Sequence, residues 1–182
     1  MNCSLIICTY NWPEALSLVL SSVASQSILP NEVIIADDGS DESTAEVIEK
    51  ISTKIPVPII HSWQEDKGFR AAKARNKAIL QASGDYIILI DGDTILHPNF
   101  VKDHRDFAEP GYFVQGSRVL ISDKETHKVI GEKNINFSLF SQNISNRKNS
   151  IHSEFLSYLF SSKINSIHGI KSCNMAFYRE DC

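Results

Sequence analysis

The stretch GDYIILIDGDTILHP, residues 84–98, decides the fold. Tyr86 to Ile90 is apolar without a break, and Asp91, Gly92 and Asp93 follow directly. A strand with no polar side is buried on both faces, as parallel strands covered by helices are. This one delivers two carboxylates and a glycine where it ends. In open α/β sheets, that end is where ligands sit.

The same pattern recurs upstream. SLIICTY (4–10) is a buried strand ending in Thr9, Tyr10 and Asn11, and EVIIADDGS (32–40) is a second, ending in Asp37 and Asp38. VPIIHSW (57–63) is a third, shorter strand. NWPEALSLVLSSVASQS (11–27) between the first two reads as a helix, with Pro13 at a first helical position. Its Leu16, Val19, Leu20 and Val23 form one core-facing stripe. DESTAEVIEKIS (41–52) is a second helix, with Ser43 and Glu46 at capping-box spacing. GFRAAKARNKAILQAS (68–83) is a third, opened by Gly68 and stopped by Gly84. The alternation predicts an α/β domain with a mostly parallel central sheet flanked by helices. Three polar strand ends then converge on one candidate site.

Beyond residue 110 the pattern loosens. FVQGSRVLIS (113–122) is expected to be a strand, and 123–168 an irregular region. Within it, 133–150 is rich in Asn and Ser and reads as a loop or a segment ordered by a partner, and 153–162 as a short amphipathic helix. KSCNMAFYRE (171–180) has strand character, and the chain shows no internal repeat.

The 182 residues suit one domain, since domains most often run to ~100–200 residues. A hydrophobic fraction of 42% and a charged fraction of 22% are those of an ordinary globular protein. The net charge of −4 argues against a nucleic-acid partner, which calls for a basic excess. Cys3, Cys8, Cys173 and Cys182 form no C-x-x-C pair and read as scattered buried thiols of a reducing compartment. Without a basic leader or an apolar run of ~20 residues, a cytoplasmic location is expected.

Three features carry chemistry. In an extended segment Asp91 and Asp93 point to one side, and Gly92 lets a ligand approach the backbone. Hard carboxylate oxygens suit Mg²⁺ or Mn²⁺, although Asp-Gly is also a common turn pair. Asp37 and Asp38 offer acceptors to a base or sugar, or else favour the following helix N-terminus. In QEDKGFRAAKARNKA (64–78), Arg70, Lys73 and Lys77 share a helix face while Arg75 lies on another, and Gly68 opening the helix marks a place for anionic atoms. No G-x-G-x-x-G, P-loop, G-x-S-x-G or H-E-x-x-H is present, which weighs against the corresponding enzyme classes. Of the histidines at 61, 97, 104, 127, 152 and 168, only His97 is placed to join a metal at Asp93.

In order along the chain, IICTYN (6–11), IIADDGSDEST (34–44), EDKGFRAAKARNKAI (65–79) and GDYIILIDGD (84–93) resemble an inverting family 2 glycosyltransferase of the GT-A fold. QGSR (115–118) and CNMAFYRED (173–181) are similar to the family as well. EDKGFR and HPNFV (97–101) most resemble the branch with chondroitin-polymerase-type and galactosyl- or N-acetylgalactosaminyl-transferase domains. The resemblance implies a nucleotide-sugar donor, most often UDP-linked, and a divalent cation, Mn²⁺ or Mg²⁺. It places Thr9, Tyr10 and Asn11 around the nucleotide and Asp38 on the nucleoside. Gly68, Arg75 and Arg70 would line the donor pocket. Asp91 and Asp93, with Gly92 between them, would hold ribose and the metal–diphosphate.

The implied reaction is an in-line displacement at the anomeric carbon with inversion, and it needs a base for the acceptor hydroxyl. The family's base lies in a G-W-G-x-E-D-like stretch downstream of the N-M-A-F strand, and the sequence ends first, at Cys182. Glu180-Asp181 comes too early to be that pair, so the base is unassigned. The expectation is one nucleotide-sugar-binding domain cut short: core 1–122, acceptor-side region 123–168, last strand 169–180. It would act as a hexosyl- or N-acetylhexosaminyltransferase core with little or no transfer of its own. A saccharide or lipid-linked saccharide acceptor, peripheral contact with the inner face of a membrane, and self-association through bare edges are the expected partnerships. A non-catalytic nucleotide-sugar-binding module and a sugar nucleotidyltransferase are the alternatives. TYNWPEA (9–15), with no glycine or basic residue, weakens the latter.

Overall fold

The computed structural model describes residues 1–133, 135–137, 141, 143–161, 163 and 170–182. Residues 134, 138–140 and 142 of the expected 133–150 loop, residue 162 of the expected helix, and His168 lie outside the described residues.

In chain order the elements are β1 (Cys3–Thr9), α1 (Pro13–Ala24), β2 (Glu32–Asp37), α2 (Glu42–Ser52), β3 (Ile59–Trp63), α3 (Ala71–Gln81) and β4 (Tyr86–Asp91). Then come α4 (Phe100–Asp106), β5 (Val114–Gln115), β6 (Leu120–Ile121), α5 (Asp123–Glu132), β7 (Ile144–Ser145), α6 (Glu154–Phe160) and β8 (Asn174–Tyr178). The main sheet runs in the order β3-β2-β1-β4-β8-β5. Its first four strands are mutually parallel, and β8 runs antiparallel to both neighbours.

Period-two alternation splits the strands between two cores. Leu5, Ile7, Val33, Ile35, Ile88 and Ile90 pack with the α1 stripe Leu16, Val19, Leu20 and Val23 and with Ile48 and Ile51 of α2. Ile6, Ile34, Ala36, Ile87 and Leu89 face the other way, onto Ala74 and Ala78 of α3. Burying each large aliphatic contributes about 1.5–3 kcal/mol. The alanines of α3 let that helix approach the sheet closely, which brings Arg75 within reach of the β4 end.

Strand order fixes where a ligand can sit. β1 pairs with β2 on one side and β4 on the other, so the chain reverses its direction of travel across the sheet at β1. The crevice at such a reversal is the usual binding place in an open α/β sheet. The register puts Thr9 opposite Asp37, Asp37 opposite Trp63 and Cys8 opposite Asp91, so these carboxyl ends finish level.

Several expectations are corrected. α2 is capped by Asp41, whose carboxylate accepts from Ser43 N–H at 3.1 Å, rather than by a Ser43–Glu46 box. α3 begins at Ala71, not Gly68, and Gly68 sits in the preceding loop at φ +81°. The expected 113–122 strand is broken: Val114–Gln115 joins the main sheet, whereas Leu120–Ile121 pairs with β7 in a separate ribbon. Gly116, where a side chain would collide with Asn174, sits at the break. Residues 123–132, expected to be irregular, are helix α5, whose N-cap Ser122 bonds Glu125 N–H at 3.4 Å. S-D-K-E (122–125) has the capping-box spacing that would have revealed it. The expected helix at 153–162 is present as α6, but Phe155, Tyr158 and Leu159 face solvent. Cys3 and Cys173 are buried as expected, while Cys182 is exposed.

Candidate functional site

Backbone bonds tie the four parallel strand ends into one platform. Asp38 N–H donates to Thr9 O at 3.1 Å, Gln64 N–H to Asp37 O at 3.1 Å, and Gly92 N–H to Cys8 O at 2.7 Å. A Cβ at Gly92 would stand 2.9 Å from Cys8 O and 3.0 Å from Thr9 Oγ1, so only glycine allows the β4 end to lie against β1. Thr9 and Gly92 therefore meet at the strand reversal.

Asp37 and Asp38 separate into different jobs. Asp37 is fully buried and accepts from Gly39 N–H at 3.1 Å, Ser40 N–H at 2.8 Å and His61 Nε2 at 2.8 Å. Burial pushes its carboxyl up, but the His61 and Ser40 hydrogen bonds outweigh that and hold it below its ordinary value. It is an anchor for the turn. Asp38 accepts from Gln64 Nε2 and from Arg70 N–H, both at 2.6 Å. Arg70 is the N-cap of α3, so Asp38 supplies the anion at that helix end. The anionic place expected at Gly68 is thus held by the protein's own carboxylate.

The loop between β3 and α3 closes over this turn. Gly39, at φ +101°, leaves room for the Asp66 backbone, which a Cβ would meet at 2.5 Å. Asp66 accepts from Gly68 N–H and from Tyr10 Oη–H, each at 3.0 Å. That bond raises the Tyr10 hydroxyl above its ordinary pKa. Asn11, at φ +45°, takes Ser40 Oγ through its N–H and accepts from Asp41 N–H through Oδ1. Arg70 bonds the Glu65 carbonyl. Lys77 caps the end of β3, donating from Nζ to Trp63 O at 2.5 Å, and is not a merely solvated charge.

Across β1, Arg75 reaches from α3 to Asp91 Oδ1 at 2.7 Å. β4 stops at Asp91, and Thr94 N–H closes a turn onto Asp91 O at 3.1 Å. Asp93 therefore stands on a turn, not on a continued strand as the i, i+2 reading assumed. Its surroundings and the charge of Asp91 raise its carboxyl, with Arg118 partly offsetting them. Asp93 and Arg118 line an open trough that continues over α4.

Sequence reading missed Gln64, Asp66 and Arg118. Gln64 and Asp66 lie inside QEDKGFRAAKARNKA (64–78), but their partners Asp38 and Tyr10 are distant along the chain. Arg118 bonds Cys173 Sγ at 2.7 Å. Beside it, Asn174 accepts from His104 Nε2 at 2.8 Å and donates to Ser117 O at 3.0 Å. This links QGSR to CNMAF at the edge of the trough. Glu180 and Asp181 lie elsewhere. β8 is antiparallel, with Asn174 opposite Ile90 and Tyr178 opposite Tyr86. The late acidic pair is thus at the far end of β4, about 13 Å or more from Asp91 at ~3.3 Å per residue. His97 groups with Asp103 and His152 rather than with Asp91 and Asp93.

Several known proteins are similar to this chain. Hyaluronan synthase of Pasteurella multocida is 35% identical over 102 residues, which are 56% of this chain and 10% of that protein. The structure of S. aureus TarS 1–349 in complex with UDP-GlcNAc superposes with a TM-score of 0.51 at 30% identity, over 59% of this chain and 31% of that one. The mannosyltransferase PcManGT from Pyrobaculum calidifontis, in complex with GDP-Man and Mn²⁺, gives 0.54 at 19% identity over 70% of this chain and 38% of that one, a likeness of fold. The chain spans between a tenth and just under half of the length of the curated relatives it matches. The GT-A neighbours share the mostly parallel sheet flanked by helices that the strand pattern predicts. The sequence model described as Glycosyl transferase family 2 matches residues 4–179, nearly the whole chain, and the chain belongs to that family.

Proposed function

We propose that residues 1–182 form the nucleotide-sugar-binding core of a glycosyltransferase that moves a hexosyl or N-acetylhexosaminyl unit from a UDP-linked donor to a saccharide hydroxyl, free or lipid-linked, with inversion. The observation that carries this reading is the pairing, at one strand reversal, of the Asp38 turn with the Arg75–Asp91–Asp93 cluster. Around them Gln64 Oε1, Arg70 Nε and Arg75 Nε are buried with no hydrogen-bond partner, an acceptor and two donors facing the requirements of a base and a diphosphate. The resemblance to TarS, whose structure holds UDP-GlcNAc, favours a UDP-linked N-acetylhexosamine.

The donor set fits a hard divalent cation. Arg75 balances one of two adjacent carboxylates, and Asp93 is left with a raised proton affinity that a cation would relieve. Asp93, with the second oxygen of Asp91, would hold Mn²⁺ or Mg²⁺. When bound, the ion would supply Lewis-acid neutralisation of the departing diphosphate. The protein's own part is positional. Thr9, Tyr10 and Asn11 form the floor, Asp38 and Gln64 the base-facing wall, Gly68 and Arg70 the rim, and Arg75 fixes Asp91 beside Gly92.

A donor-binding module without turnover is the alternative reading that uses the same site. No helix among the described residues is long and apolar enough to cross a membrane. Calorimetric titration of UDP with and without Mn²⁺, repeated on Asp91→Ala/Asp93→Ala, tests the site. Manganese-dependent binding lost in the variant supports it, and equal binding by both proteins overturns it. Sugar release or transfer from UDP-GlcNAc separates the enzyme from the module.

A further inference from the structure

Outside the candidate donor site, three elements bring metal-ligating side chains together. His97 lies in the turn after Asp93, Asp103 on α4, and His152 in the segment before α6. One donor atom from each lies within 4.8 Å of the other two. The His97 and His152 rings stack at 4.3 Å and 13°, and His152 Nε2 is 2.9 Å from Asp103 Oδ2.

We propose that His97, Asp103 and His152 form a binding site for a borderline divalent cation of the zinc class, separate from the carboxylate turn at Asp91 and Asp93. Two imidazoles and one carboxylate are the donor set of zinc, cobalt and nickel rather than of magnesium. A tetrahedral ion with ligands at about 2.0–2.2 Å needs its donors about 3.4 Å apart. Asp103 and His152, at 2.9 Å, reach that spacing by opening their hydrogen bond by about 0.5 Å, and the His97 ring turns out of its stack on His152 to aim a nitrogen at the same point. The fourth position stays open towards the trough that all three residues line.

The frame is held from below. Gln26, buried under this turn, donates from Nε2 to His97 O at 2.8 Å and accepts from Val101 N–H at 3.0 Å. Ser27 N–H donates to Pro98 O at 2.8 Å. Two ligands are thus fixed on the core, and the third arrives from the later segment. His97 Nδ1 accepts a 3.2 Å bond from Asn99 N–H. Coordination through Nδ1 displaces that bond, and coordination through Nε2 moves the ring proton and loses it. Either way that long backbone bond, together with the His152–Asp103 hydrogen bond, is exchanged for metal bonds. The bound ion would staple the 143–161 segment to the turn that carries Asp93. The proposal does not rest on the glycosyl-transfer reading.

The test is titration of the metal-free protein with Co²⁺, read by visible absorption. Nitrogen-rich tetrahedral cobalt gives intense bands, whereas an all-oxygen octahedral site gives weak ones. The expected result is intense absorption that saturates at one equivalent and is displaced by Zn²⁺. His97→Ala and His152→Ala, both changes at exposed side chains, should each weaken binding about tenfold or more. Asp93→Ala should leave the bands intact. Circular dichroism of each variant confirms folding. Absence of intense bands in the folded wild type, or bands that survive both histidine variants, overturns the proposal.

Discussion

Arg75, on the middle of α3, donates from its guanidinium to Asp91 Oδ1 at 2.7 Å and joins the helix to the last residue of β4. Both side chains are partly shielded, at 20% and 35% exposure, so the pair lies between the surface and buried regimes. Arg75→Ala should cost about 1–2 kcal/mol in urea denaturation and weaken UDP binding. Arg75→Lys should recover only part of both, because a point charge does not replace the planar fork.

Asp93 gives a trade between stability and binding. Its raised carboxyl means that the folded protein keeps a proton the unfolded chain has released. That contribution to stability is complete below the ordinary carboxylate range and is lost as pH rises through the folded value. Asp93→Asn should therefore melt no lower than wild type near neutral pH. The gain will be small, because the side chain also meets solvent. Manganese-dependent UDP binding should fall about tenfold or more. Melting curves and calorimetry on the same preparation check both halves.

His104 is the acid-sensitive point of the trough wall. Burial takes its pKa down from 6.5 to about 4, and the Asn174 bond only partly resists. Asn174 Nδ2 donates to Ser117 O, so its Oδ1 accepts and the neutral His104 carries its proton on Nε2. A depressed histidine is stabilising above the unfolded value, and that stability drains away as pH falls from about 6.5 towards 4. The full loss is about 3 kcal/mol. His104→Gln should flatten the upper part of this acid limb. Asp37 and Glu32, both held below their ordinary values, account for the drop at lower pH. Urea midpoints between pH 7 and 4 give the comparison.

Gly39 and Gly111 both hold positive φ, at +101° and +77°, yet a side chain would meet very different surroundings. At Gly39 the Asp66 backbone stands 2.5–2.6 Å from the Cβ position, and at Gly111 nothing lies within 4 Å. Gly39→Ala should cost about 3 kcal/mol or more, combining backbone strain with overpacking, and should impair UDP binding by displacing the loop that carries Asp66. Gly111→Ala should cost about 1 kcal/mol, the strain alone, with binding unchanged. Thermal melts of the two variants separate strain from collision.

The sequence by itself determined the sheet, its partner helices and the end at which polar groups gather. Apolar runs such as Tyr86–Ile90 and the Leu16–Val19–Leu20–Val23 stripe are local signals whose burial follows from their period alone. The order of the motifs was legible as a resemblance to the family, whereas the turn that carries Asp93 was not, because the extended i, i+2 reading stops at Asp91. The tertiary structure decided which acid does which job. Asp37 and Asp38 are adjacent, but His61 on β3 claims one and the Arg70 N–H at the N-cap of α3 the other. It also broke 113–122 at Gly116 and sent Glu180 and Asp181 to the far end of β4, because β8 runs antiparallel. It brought together His97, Asp103 and His152, which sequence reading had left apart. Such partnerships depend on contacts between elements distant along the chain, and no local period encodes them.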